Sequence, residues 1–121
     1  MTSCLVVDDS QVVRSVAKRI LRQLDIQVSE AENGQVALER CSVSLPDLIL
    51  LDWNMPVMNG LVFLQALRGR YGADQPIVVF CTTENGIGNV KQALEAGANE
   101  YIMKPFDEAI IRSKLAQVGL L

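Results

Sequence analysis

The chain has 121 residues, half of them apolar and about a fifth charged, which suits one globular domain and argues against a disordered chain. Its 11 basic and 14 acidic side chains leave a formal net charge of −3, so no cationic surplus recommends nucleic acid or an anionic membrane as a partner. It contains no histidine, which argues against zinc and haem sites of the usual kinds and leaves the chain no phosphohistidine of its own.

The start, Met1-Thr2-Ser3-Cys4, lacks the basic region and long apolar region of a signal peptide. No apolar run approaches the roughly 18 residues of a membrane span, so a cytoplasmic protein is expected. Leu5-Val6-Val7 reads as a first strand and ends at Asp8-Asp9. Ser10 is a natural N-cap for the helix that follows. There Val12, Val13, Val16, Ala17, Ile20, Leu21 and Leu24 recur at helical spacing, with Arg14, Lys18, Arg19 and Arg22 on other, solvated faces. A weak strand, Gln27 to Ala31, comes next. Asn33-Gly34 precedes a helical pattern (Val36, Ala37, Leu38, Cys41) and reads as a helix start rather than a hairpin turn.

Pro46 punctuates the way into a third strand, Leu48 to Leu51, which ends at Asp52. Asn59-Gly60 opens a helix carrying Leu61, Phe63, Leu64 and Leu67. Pro76 precedes a fourth strand, Ile77 to Cys81, which ends at Thr82 and Thr83. Val90, Ala93 and Leu94 mark a fourth helix, and Gly97 is placed to cap its C-terminus. Tyr101-Ile102-Met103 forms a fifth strand, ending at Lys104 and stopped by Pro105. Asp107 then caps a last helix with Ile110, Ile111, Leu115 and Val118 on its inner side. Cys4, Cys41 and Cys81 are isolated and form no CxxC pair, so reduced, buried thiols are expected. The pattern is five βα units: an α/β fold with a parallel sheet, right-handed crossovers and helices on both faces. One domain over residues 1–121 is expected, with no effector domain.

Short apolar runs of this kind are strands buried on both faces. Ligands of such sheets bind outside the carboxyl ends of the strands. Asp8, Asp9, Asp52, Thr82 and Lys104 would then converge on one crevice. Any one strand-end acid is often only a helix cap. Three together repel each other unless a cation is present, and magnesium suits hard oxygen ligands. Lys104 either neutralises surplus charge or holds a phosphoryl oxygen as a point charge. Thr82 carries meaning only beside Asp52 and Lys104. Gly86-Ile87-Gly88 resembles the start of a dinucleotide fingerprint, but Lys91 stands where the third Gly belongs and Glu84 would repel a pyrophosphate. Trp53, Met55 and Met58 read as ordinary loop residues.

Asp8-Asp9, then Asp52-Trp53-Asn54-Met55-Pro56-Val57-Met58-Asn59-Gly60, then Thr82, then Lys104-Pro105-Phe106, resemble the receiver domains of two-component response regulators. The resemblance runs from about Ser3 to about Val118. It implies a flavodoxin-like doubly wound sheet of strand order 2-1-3-4-5, an order familiar from the chemotaxis members of that family. It implies that Asp52 is the phosphoacceptor and that Asp8, Asp9 and Asp52 bind the metal, Asp9 more directly than Asp8, with the Asn54 backbone carbonyl as a further ligand. The implied metal is magnesium (Mg2+), with manganese (Mn2+) an acceptable substitute. Thr82 would bind a phosphoryl oxygen after transfer, and Lys104 would bridge to the phosphoryl group. The Lys104-Pro105 bond is expected to be cis. Tyr101 occupies the aromatic switch position, or is simply a half-buried strand tyrosine.

The implied protein is a stand-alone response regulator rather than a conventional enzyme, promoting only its own phosphorylation and dephosphorylation. Its partners are a sensor histidine kinase or histidine phosphotransfer protein and a downstream protein, bound through the face of the fourth helix, fifth strand and fifth helix. Neither nucleic acid nor membrane is implied. A chemotaxis-type output competes with a phosphorelay shuttle or phosphate sink between histidine-bearing partners. A phosphatase of the haloacid-dehalogenase kind is disfavoured, because Asp8-Asp9-Ser10 lacks the Asp-x-Asp pattern and no cap is present. Three departures from the family pattern stand out. Asp25 sits where Gly is common, and Thr83 is expected to narrow access to Asp52 and slow hydrolysis. Gly86 and Gly88 weaken the start of the fourth helix, at about 1 kcal/mol per Gly relative to Ala.

Overall fold

The computed structural model describes residues 1–83 and 88–121. Among them, strands and helices alternate as β1 (Ser3–Val7), α1 (Gln11–Gln23), β2 (Gln27–Ala31), α2 (Gly34–Val43), β3 (Leu48–Asp52), α3 (Gly60–Tyr71), β4 (Ile77–Thr82), α4 (Val90–Glu95), β5 (Glu100–Met103) and α5 (Glu108–Gln117). The strands pair in parallel in the order β2-β1-β3-β4-β5, the expected flavodoxin-like sheet. No helix among the described residues is long and apolar enough to cross a membrane. Glu84 and Gly86, discussed above, lie outside the described residues.

Successive strand side chains point to opposite faces, so each apolar run feeds two cores. Leu5, Val7, Ile49, Leu51, Val78 and Phe80 meet the helices on one side, where Phe63, Leu64 and Leu67 of α3 pack. Cys4, Val6, Leu48, Leu50, Val79 and Cys81 meet α1 and α5 on the other, through Ala17, Leu21, Ile111 and Leu115. All three cysteines are free and buried, as expected.

The expected helix starts hold. Ser10, Asn33, Asn59 and Asp107 each accept a hydrogen bond from the backbone N–H three residues on, which satisfies a donor that the helix itself leaves open. Gly97 follows α4 at φ +113 and closes it, its N–H bonding to the Leu94 carbonyl. Asp25 takes φ 61 after α1, so that turn keeps a left-handed residue without Gly; Asp tolerates this conformation better than most side chains. The Lys104-Pro105 bond is cis, and so is Gln75-Pro76, which nothing in the sequence announced.

Three expectations change. Ile110, expected on the inner side of the last helix, and Val12, expected in the apolar stripe of the first, are 38% and 73% exposed. At 100° per residue, each stands roughly a third of a turn from the middle of its helix's buried stripe. Arg14 and Lys18 do not lie on a purely solvated face: both bond Glu30 of β2. Trp53, Met55 and Met58 do more than fill a loop, since all three pack against the core.

The start of α3 is pressed onto the end of β3. A Cβ on Gly60 would stand 2.2 Å from the Asp52 carbonyl oxygen, a backbone atom that cannot swing aside. Gly69, in the same helix, has nothing within 4 Å. Gly60→Ala is therefore expected to cost about 2–3 kcal/mol in urea unfolding, whereas Gly69→Ala should stabilise by about 1 kcal/mol. Equal effects at the two positions would contradict the packing described here.

Candidate functional site

The strand ends are nearly flush. Val7 is in register with Leu51, Asp52 with Cys81, and Thr82 with Met103. The next residue of β1 is Asp8, and the next of β5 is Lys104, so side chains far apart in sequence emerge at one edge of the sheet. The Lys104 backbone N–H continues the ladder to the Thr82 carbonyl at 2.6 Å.

Lys104 reaches across the crevice to two carboxylates. Its Nζ lies 2.6 Å from Asp8 Oδ2 and 3.1 Å from Asp52 Oδ1. Asp8 is buried, and its other oxygen accepts the Ser10 N–H at 2.9 Å. Asp9 is exposed. Asp8, Asp9 and Asp52 each offer a carboxylate oxygen within 4.8 Å of the other two. That donor set fits a hard divalent cation: all three ligands are oxygens, and their mutual repulsion asks for positive charge.

Burial, then the Asp8 charge, raises the Asp52 carboxyl above the usual carboxylate range; the Lys104 ammonium and the Trp53 N–H pull the other way without cancelling them. Burial alone would lower Lys104, but its hydrogen bond to Asp8 and the Asp52 charge outweigh burial and hold it above an ordinary lysine. Beside them, burial pushes the Cys81 thiol up to about 12, so it stays a neutral core side chain.

Thr82 is 4% exposed at the end of β4, and its hydroxyl donates to the Thr83 carbonyl at 3.1 Å. The hydroxyl is engaged with its own backbone. Thr83 itself is exposed and lines an apolar groove beside Lys104. The Asn54 side chain is exposed next to Asp52, and the Trp53 ring packs edge-on against Phe80 with centroids 5.1 Å apart. Tyr101 is half-buried on β5. Lys114 of α5 sits 5.2 Å from its ring centroid and pairs with Glu100 at 3.4 Å.

Two sets of contacts were not foreseen from the sequence. The Lys114–Tyr101–Glu100 group joins β5 to α5. The Arg14–Glu30–Lys18 group joins α1 to β2, and its trace in the sequence is the i, i+4 spacing of Arg14 and Lys18 on one helix face.

The raised Asp52 carboxyl has a consequence for stability. The folded state binds that proton more tightly than the unfolded chain, so its contribution is fully present in acid and lost as pH rises through the folded-state pKa. Asp52→Asn removes this penalty. The variant should be more stable than the parent at neutral pH in urea unfolding. Its advantage should shrink as the pH falls through the raised folded-state pKa of Asp52 and be gone below the ordinary carboxylate range.

The family described as response regulator receiver domain matches residues 4–116. Chemotaxis protein CheY1 of Helicobacter pylori is 40% identical over 116 residues, which cover 94% of each chain. The chemotaxis protein CheY homolog of Campylobacter jejuni is 39% identical over 94% of this chain and 89% of its own. The solved structure of the chemotaxis response regulator CheY4 of Vibrio cholerae superposes with a TM-score of 0.89, at 30% identity and with 98% of both chains covered. A sheet of this order, strand-end acids bridged by Lys104, and relatives aligned along nearly the whole length lead to one conclusion: the chain belongs to the response regulator receiver domains.

Proposed function

We propose that Asp52 accepts a phosphoryl group from a phosphohistidine on a sensor kinase or histidine phosphotransfer protein, and that this changes how the protein binds a downstream protein in a chemotaxis-type pathway. The observation that carries the reading is the bridge: one ammonium bonded to Asp8 and Asp52, with Asp9 inside the same 4.8 Å cluster. The chemotaxis assignment draws on the relatives named above.

Attack needs an ionised carboxylate. Lys104 supplies the charge that favours ionisation of Asp52 despite its burial. A bond forms from an Asp52 oxygen to phosphorus as the bond from phosphorus to the imidazole nitrogen breaks, and that electron pair leaves on the donor's ring. Asp9, Asp52, Asp8 and the Asn54 carbonyl would hold magnesium, which supplies positive charge to the phosphoryl oxygens when bound. The Lys104 ammonium has three donors, of which two are used in the crevice, so the third is open to a phosphoryl oxygen. The Thr82 hydroxyl needs only a rotation away from the Thr83 carbonyl to donate to another. An apolar groove floored by Val12, Val13, Val16, Pro105 and Phe106 runs up to Lys104 and gives a donor protein an apolar footing.

The chain contributes chemistry to its own Asp52 and otherwise acts by binding. Thr82 bonded to phosphate is a contact that the free protein lacks, and such a differential contact shifts a pre-existing equilibrium. Tyr101 lies opposite Phe80 in the β4–β5 ladder, two residues from the register position of Thr82, so the change is read out on the face of α4, β5 and α5.

Incubation with magnesium and a small phosphodonor should add one phosphoryl mass to the intact protein and none to Asp52→Asn. A full gain in that variant would move the acceptor elsewhere. Thr82→Ala should still accept phosphate, yet lose most of the amide shifts that beryllofluoride causes at Tyr101 and across Val90 to Leu94. Retention of those shifts would assign the switch to another route.

A further inference from the structure

We infer that Arg14 is a positioning residue for the acidic crevice: by holding the Asp8 carbonyl it fixes the Asp8–Asp9 peptide plane, and with it the direction in which Asp9 offers its carboxylate to a divalent cation. The inference rests on the reading of Asp9 as a metal ligand.

The three acids are not held alike. Asp8 is bonded through both carboxylate oxygens, to Ser10 N–H and Lys104, and its own N–H donates to the Ala31 carbonyl at 3.1 Å. Asp52 ends a central strand and bonds Lys104. Asp9 is exposed, and its carboxylate makes no hydrogen bond or ion pair among the described residues. Its aim is therefore inherited from its backbone. The amide nitrogen of Asp9 belongs to the same planar unit as the Asp8 carbonyl, so the two turn together.

That carbonyl lies past the end of β1, beyond the ladder that would otherwise hold it. It accepts a hydrogen bond from Arg14 Nη1 at 2.7 Å, a short, charge-assisted contact. The guanidinium is itself held. Its Nε bonds Glu30 Oε1 at 3.1 Å, and the second Glu30 oxygen takes the Lys18 ammonium at 3.3 Å. Burial alone would raise the Glu30 carboxyl, but the hydrogen bonds from Lys18 and Arg14 outweigh it and keep it low, so this clamp stays ionised at neutral pH. The Arg14 side chain is only 15% exposed. A planar guanidinium reaches two partners in fixed directions, which a lysine ammonium on a flexible stem does not. The clamp is thus anchored to β2 at Glu30, which is paired with Val6 of β1.

Charge and position make opposite demands here, which makes the inference testable. Arg14 is a cation close to a cation site, so by charge alone its removal would tighten metal binding. If it positions Asp9, its removal loosens binding. The protein is titrated with magnesium alone, and the fluorescence of Trp53, beside Asp52, is followed. Arg14→Ala and Arg14→Lys are both expected to weaken binding about tenfold or more, the range seen when residues that orient metal ligands are lost. Lys18→Met removes the same charge from the same cluster but leaves the Asp8 carbonyl contact intact; it should stay within about twofold of the parent, well short of that tenfold loss. Binding that tightens in Arg14→Ala, or a parent-like curve for Arg14→Lys, overturns the inference. Arg14→Lys keeps the test valid if the alanine variant unfolds. Asp9→Ala separates the two readings. If it weakens binding while the Arg14 variants do not, only the positioning role fails; if it has no effect, Asp9 is no ligand and both readings fall.

Discussion

Asp8 and Asp52 bring two negative charges into a crevice where their side chains are only 4% and 15% exposed, and Lys104, at 16%, is the cation between them. A buried carboxylate without a partner would take up a proton instead of staying ionised. Such a triad is weak evidence for stability, because desolvation offsets the attraction. Its value lies in what it leaves unequal. Asp8 has both oxygens bonded, to Ser10 and Lys104, and is absorbed into the structure. Asp52 shares the same lysine, is raised by burial and by Asp8, and retains oxygen lone pairs for chemistry. The two acids differ because of their surroundings, not their residue type.

That inequality depends on the strand ends lying flush, and several contacts keep them so. α3 begins against the Asp52 backbone, where only Gly60 fits, and its N–H bonds the Trp53 carbonyl at 2.8 Å. The loop between β3 and α3 is then tied to the start of α2 by the Gly34 N–H on the Met58 carbonyl at 3.0 Å. Within this loop Val57 takes φ 68, a left-handed conformation that a β-branched residue adopts only under constraint. The strain sits in a loop held at both ends, five residues from Asp52.

Much of this was legible in the sequence, for a definite reason. A parallel strand buried on both faces must be apolar throughout, so the first polar residue marks its end, and strand ends are where such folds place their ligands. Asp8, Asp52, Thr82 and Lys104 announce themselves this way. Helix faces were less legible. Val12 and Ile110 satisfy an apolar spacing but sit beside the stripe rather than in it, because the spacing does not reveal how wide a stripe the sheet will cover. Pairings between distant side chains away from the strand ends were barely legible. Nothing local says that Glu30 will meet Arg14, or that Lys114 will lie over Tyr101; those contacts exist only once α1 packs on β2 and α5 on β5.

Strand-end residues of the acidic crevice and residues nearer the surface share short stretches of β4 and β5, and the proposed switch would run through them. Lys104 is bonded through its backbone to Thr82 and through its side chain to Asp52, so a group placed on Asp52 competes for both residues at once. Three residues before Lys104, Tyr101 is held between β5 and α5 by the Lys114 ammonium, while the Glu100 carboxylate takes the same ammonium and the Tyr101 N–H. Across the sheet edge, Arg68 of α3 donates to the Gly97 carbonyl at 3.0 and 2.9 Å and to Asn99 Oδ1 at 3.1 Å, and that Asn99 oxygen also accepts the Val78 N–H. The C-terminal end of α4 is therefore anchored to both α3 and β4. Under the proposed switch, a rearrangement of this face would work against a fixed point at that end, because packed elements of this kind hold discrete arrangements rather than deform continuously.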